Sequence, residues 1–150
     1  MEILKVIQAD HESVLEIFGK MLKETKKSDK RKDLLQKLQE LLLPHMHAEE
    51  NLFYPFLKQE GEDPQPVLEA YQEHLAARLY LDEVMHSNLD DENWIAKITV
   101  LHELINHHIE EEEEDLFRMA EEKMDEDQAE EMGEKFEELK KEAQVPHSGR

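Results

Sequence analysis

The chain has 150 residues, with 38 acidic against 18 basic side chains and a formal net charge of -20. That length suits one compact domain with a real core, and the charge argues against nucleic acid or an anionic membrane as a partner. There is no cysteine, which excludes disulfides, thiolate zinc sites and iron-sulfur clusters, so any metal must be held by histidine and carboxylate.

Glycine and proline are scarce while Glu, Lys and Leu dominate, a composition that predicts helix almost throughout. The first predicted helix carries an apolar stripe through Leu4, Ile7, His11, Val14 and Phe18, at the three- and four-residue spacing of a buried face. After a polar break near Lys26 to Lys32, the second reads Leu38, Leu42, His45, Glu49, Leu52 and Phe56. Pro44 lies inside it and is expected to kink it. A break over Gly61 to Pro66 leads to the third, with Val67, Tyr71, His74, Ala77 and Leu81, and Pro66 suits its first turn. Beyond Ser87 to Asn93, where Asp90 or Asp91 is expected to cap, the fourth reads Ile98, Leu101, Ile105, His108, Glu112 and Met119. A shorter amphipathic helix follows, with Ala129, Met132, Phe136 and Leu139 on one face. The expected fold is all-α: an antiparallel up-down-up-down four-helix bundle with a short C-terminal helix, a domain over residues 1–144 and a disordered tail over 145–150.

Every stripe is interrupted by polar residues, and the interruptions repeat. At an offset of 63 residues His11 pairs with His74, His45 with His108, Glu49 with Glu112, Glu50 with Glu113 and Tyr54 with Phe117, the mark of a duplicated helical hairpin. In an antiparallel hairpin, residues at one height are equidistant from the turn. The midpoints of His11 and His45, of His74 and His108, and of His45 or Glu49 and His74 all fall in predicted loops. Six polar groups should therefore meet at one level of the bundle. Burying them unpartnered would cost several kcal/mol each, whereas coordinating a metal satisfies them together. The His45/Glu49 and His108/Glu112 spacing of four residues places imidazole and carboxylate on one helix face, and bundle interiors host two-metal carboxylate sites built this way.

The segments ADHE around His11, HMHAEENLFYP from His45, EHL around His74 and HIEEEEEDLF from His108 resemble the hemerythrin-like domains, also called HHE cation-binding domains. The resemblance covers about residues 3 to 140 and includes the closing helix. It implies His11, His45, Glu49, His74, His108 and Glu112 as ligands of two iron ions, with both glutamates bridging and an oxo, hydroxo or aqua group between the irons. Oxygen-carrying hemerythrins are similar but have a fifth histidine one turn after the position of His74, where this chain has Arg78, and end with a different His-to-carboxylate spacing.

The function expected from this resemblance is a non-haem di-iron protein that binds or reacts with dioxygen, nitric oxide or peroxide. The alternative is an iron-binding, buffering or sensing module without turnover, and a metal-free helical scaffold comes last. Arg78 is expected to reach a bound anion or solvent, and Tyr71 to pack in the core or line the pocket. His47 and His86 are expected on the surface, His147 in the tail, and His102 at the interior edge, while His107 competes with His108 as ligand. Of the acidic run Glu110 to Asp115, only Glu112 is expected to point inward. No apolar stretch nears the roughly 20 residues needed to cross a bilayer, and the first ten residues do not read as a signal segment, so a cytoplasmic location is expected.

Overall fold

A computed structural model describes residues 1–24 and 28–144. The expected tail, His147 and part of the first break lie outside the described residues. Helix α1 spans Ile3–Lys23 and α2 spans Ser28–Ala48; α2 runs without interruption into a π-helical turn, Glu49–Phe53, and then α3, Tyr54–Glu60. Helix α4 covers Gln65–Met85. Helix α5, Trp94–Glu111, continues through a second π turn, Glu112–Leu116, into α6, Phe117–Lys123, and α7, Glu126–Glu142, closes the chain. The described residues contain no strand, so the all-helical expectation holds, with four long rods and a fifth helix of 17 residues.

Pro66 lies in the first turn of α4 as expected, because the turn needs no donor there. Neither Asp90 nor Asp91 caps α5. The residue before α5 is Asn93, and Asp91 instead shapes the preceding turn by accepting the Asn93 backbone N–H at 2.9 Å.

The two π turns begin at Glu49 and Glu112, the repeat-related glutamates, and each inserts one residue into the helical phase. The buried stripe expected at Leu52 and Phe56 therefore shifts to Phe53 and Leu57, and that expected at Met119 shifts to Leu116 and Ala120. Pro44 is not the cause of these irregularities. Helix α2 runs through it to Ala48, and the matching position of the second rod is His107, yet the π turn forms there too.

The polar layer separates two apolar clusters. One gathers Val14, Phe18, Leu38, Leu81, Trp94 and Leu101 toward the end of the bundle where Arg31 lies 4.5 Å over the Trp94 ring. The other joins Ile3, Ile7, Phe53, Tyr54, Val67 and Phe136. Helix α7 packs on α1, α2 and the first π turn through Ala129, Met132 and Phe136. Gly133 permits this approach, since a Cβ there would lie 2.0 Å from the Met1 carbonyl oxygen. The charged plane thus lies between two hydrophobic slabs, where water screens it weakly.

Candidate metal centre

All six residues singled out from the sequence converge in this plane and are buried: His11, His45, Glu49, His74, His108 and Glu112. Their donor atoms form two overlapping groups, His11/His45/Glu49/Glu112 and His74/His108/Glu49/Glu112, each with its atoms within 4.8 Å of one another. Glu49 Oε1 lies 3.2 Å from His45 Nε2 and 3.1 Å from His74 Nε2, while Glu112 reaches His11 Nε2 at 3.0 Å and His108 Nε2 at 3.5 Å. Each glutamate therefore touches both groups. His107 is exposed and points away, so the inward member of that pair is His108.

Four of these inward atoms, His11 Nε2, His45 Nε2, Glu49 Oε2 and Glu112 Oε1, are buried without a well-aligned hydrogen bond, although His11 Nε2 and Glu112 Oε1 lie 3.0 Å apart. Orphaned buried polar atoms are rare and costly, and four converging on one point is the pattern that coordination resolves. A donor set of imidazole and carboxylate, without thiolate, fits iron or a similar first-row ion.

Each inward histidine has its other ring nitrogen held by a carboxylate from a neighbouring helix. His11 Nδ1 meets Glu113 at 2.7 Å, His45 Nδ1 meets Asp10 at 2.7 Å, His74 Nδ1 meets Glu50 at 2.6 Å and His108 Nδ1 meets Glu73 at 2.6 Å. These four also obey the 63-residue offset, Asp10 with Glu73 and Glu50 with Glu113. Such contacts turn Nε2 inward and raise its basicity. Glu113 is thus a correction to the reading of the acidic run as one solvated face.

Arg78 does not reach into the site, and its partly exposed side chain is tied down rather than extended into solvent. It clamps Glu50 through two guanidinium nitrogens, at 2.5 and 3.2 Å. The single ammonium nitrogen of Lys140 in α7 donates to both Asp10 oxygens, at 2.8 and 3.0 Å. Each donor group therefore has one histidine whose carboxylate is neutralised by a cation. Burial opposes ionisation of Glu50, but His74 and Arg78 outweigh it and lower its pKa to about 2. Burial likewise opposes charging His45, yet Glu49 and Asp10 raise its pKa to about 10. His11 and His108 shift upward for the same reason, against their burial, under the pull of Glu112 and their outer carboxylates.

Tyr54 was not singled out from the sequence as a site residue. Its hydroxyl donates to Glu112, with Glu49 a second acceptor at 3.2 Å, and lies 3.1 and 3.2 Å from the Nε2 atoms of His74 and His108. Burial first, then both carboxylates, push its pKa well above the ordinary tyrosine value. In an ideal α-helix, a residue five after Glu49 would face about 140° away from it. The π turn brings it onto the same face. The available signal was the repeat pairing of Tyr54 with Phe117, which makes the two donor groups chemically unequal.

Tyr71, by contrast, is half-buried; it donates to the Glu50 carbonyl at 3.2 Å and meets the Tyr54 ring edge-on. His102 packs beside Phe18, at the interior edge as expected, and His47 and His86 are exposed.

The hemerythrin HHE cation binding domain model matches residues 2–120. A solved structure of a hemerythrin HHE cation binding domain-containing protein from Mycobacterium kansasii superposes with a TM-score of 0.84 at 21% identity. It covers 95% of this chain and 87% of that one, a likeness of fold. No curated protein matches at significance by sequence. With a duplicated His/Glu plane at its centre and a family match over most of its length, the chain belongs to the hemerythrin HHE cation-binding family.

Proposed function

We propose that the protein is a non-haem di-iron protein that binds or reacts with dioxygen, nitric oxide or peroxide. In this reading His11 and His45 hold one iron, His74 and His108 hold the other, and Glu49 and Glu112 are shared. The observation that carries it is the pair of overlapping four-donor groups, with four buried donor atoms left without well-aligned hydrogen bonds.

The surroundings support a small uncharged ligand. The four histidines, with Val14, Leu42 and Ile105, line a cavity of about 10 Å³, close to the minimum for one water-sized molecule. Apart from the four imidazoles and Glu73, its walls are apolar side chains, a surround that suits a diatomic gas better than bulk water. Bound iron would supply the redox chemistry, and the chain supplies charge balance and orientation. Asp10, Glu50, Glu73 and Glu113 orient the four imidazoles, while the Tyr54 hydroxyl keeps its proton between Glu49 and Glu112.

The test is metal analysis of protein produced with adequate iron, followed by mixing its ferrous form with nitric oxide, dioxygen and peroxide. About two irons per chain and optical changes with these ligands are expected. A reproducible single zinc with no affinity for iron would refute the assignment. Two irons inert to all three reagents would restore the buffering alternative.

A further inference from the structure

Besides the four histidines and Glu73, the cavity beside the metal centre is lined by six side chains in three pairs related by the 63-residue offset: Val14 with Ala77, Leu42 with Ile105, and Met46 with Ile109. Five of the six are saturated hydrocarbon. The sixth, Met46, carries a thioether, and of the chain's seven methionines it alone lines the cavity. It is 1% exposed, whereas Met1 is 64% exposed. The fold does not call for sulfur at this position, because its other half fills the equivalent place with Ile109, which is also buried.

A thioether is soft and readily takes up one oxygen atom, which turns a flexible apolar side chain into a polar one. The space in front of Met46 is about 10 Å³, little more than one water-sized sphere. An oxygen added to the sulfur therefore competes for the room that a diatomic ligand would use.

We infer that Met46 is a modification site whose substrate is a peroxide: its conversion to the sulfoxide closes the cavity to further ligand. The inference rests on the proposed function, which is what brings peroxide to this cavity. A sulfur lone pair attacks one peroxide oxygen, and the S–O bond forms as the O–O bond breaks. The departing hydroxide takes the proton left on the transferred oxygen and leaves as water. Sulfur gives up two electrons and the peroxide gains them, so no further reductant is needed. The site then limits its own exposure to oxidant, and the device belongs to one half of the duplication only.

The experiment treats the iron-loaded and the metal-free full chain with equimolar hydrogen peroxide and locates the added oxygen by mass spectrometry of peptides. Oxidant in bulk solution reaches exposed methionines first, so Met1 is the internal reference. In the iron-loaded protein Met46 should be modified ahead of Met1, and in the metal-free protein the order should reverse. After the iron is returned to its ferrous state, the fraction of nitric oxide binding lost should equal the fraction of Met46 sulfoxide, with iron content unchanged. Two variants, Met46→Ile, which copies the repeat counterpart, and Met46→Leu, a volume-conserving swap, are each compared before and after peroxide, with folding checked by circular dichroism. Both should keep their own nitric oxide binding through the treatment. Met1 modified first in the iron-loaded protein, Met46 modified equally without iron, binding lost along with iron, or equal loss in the variants would overturn the inference. An iron-loaded parent that neither consumes peroxide nor binds nitric oxide would overturn the proposed function itself.

Discussion

Replacing Tyr54 by Phe tests the least expected part of the site. The hydroxyl is fully buried, donates its one proton to Glu112 with Glu49 a second acceptor at 3.2 Å, and has no counterpart at Phe117. In the metal-free protein its loss leaves the buried Glu49/Glu112 carboxylate pair short of one donor. A hydrogen bond to a charged group contributes about 1.5–3 kcal/mol, and Phe restores the ring packing, so the loss should fall in that range. For a domain near this size each kcal/mol moves the thermal midpoint by roughly 2–4 °C, which places the expected drop between about 3 and 12 °C. The assay is thermal unfolding of chelated Tyr54→Phe and parent, with Tyr71→Phe as a control, since Tyr71 bonds only to a backbone carbonyl at the margin. In the iron-loaded proteins, Tyr54→Phe should also alter the optical spectrum, because the hydroxyl sits against His74 and His108 of one donor group only. A midpoint unchanged by Tyr54→Phe, or a drop matched by Tyr71→Phe, would show that the hydroxyl is not part of the polar plane.

Three further outcomes are expected. His74→Ala should lower metal content while His47→Ala leaves it unchanged, as read by elemental analysis; equal losses would show the inward phase to be wrong. Chelation should lower the melting temperature without abolishing helical circular dichroism. Metal bound only by the folded state adds about 2.7 kcal/mol at one hundred times its dissociation constant, and both apolar clusters survive its removal. A constant midpoint across the chelation series would place the metal outside the core. In the chelated protein, burial disfavours charged His45 but Glu49 and Asp10 raise its pKa from 6.5 to about 10. A value raised on folding adds stability that is complete below 6.5 and lost as pH climbs through 10. Melting temperature should therefore fall over that interval and do so less steeply in His45→Gln; an equal or steeper fall in the variant would refute the coupling.

The helical rods, their breaks and the six inward donors were legible in the sequence, because helical periodicity and the 63-residue repeat are local, additive properties. Apolar spacing places His11 or His74 on an inner face whatever the neighbouring helix is. The midpoint argument then needs only chain connectivity to put both hairpins at one height. His108 was separated from His107 by the same repeat, and burial follows that choice.

What only the tertiary structure decided depends on how elements meet. The π turns at Glu49 and Glu112 move every later residue one step in phase, so Tyr54 enters the site while Leu52 and Phe56 leave the fully buried stripe. No composition rule marks such a turn, and the proline that seemed to offer an irregularity lies upstream of it. Asp10, Glu50, Glu73 and Glu113 look like four acids among 38, and their role emerges only when a neighbouring helix presents an imidazole nitrogen within 2.7 Å. Arg78 is settled the same way, by Glu50 reaching it from the second rod. The duplication itself predicts two equal halves. Helix α7 breaks that equality by docking on the α1/α2 half, because a single closing helix can cover only one side of a two-fold plan.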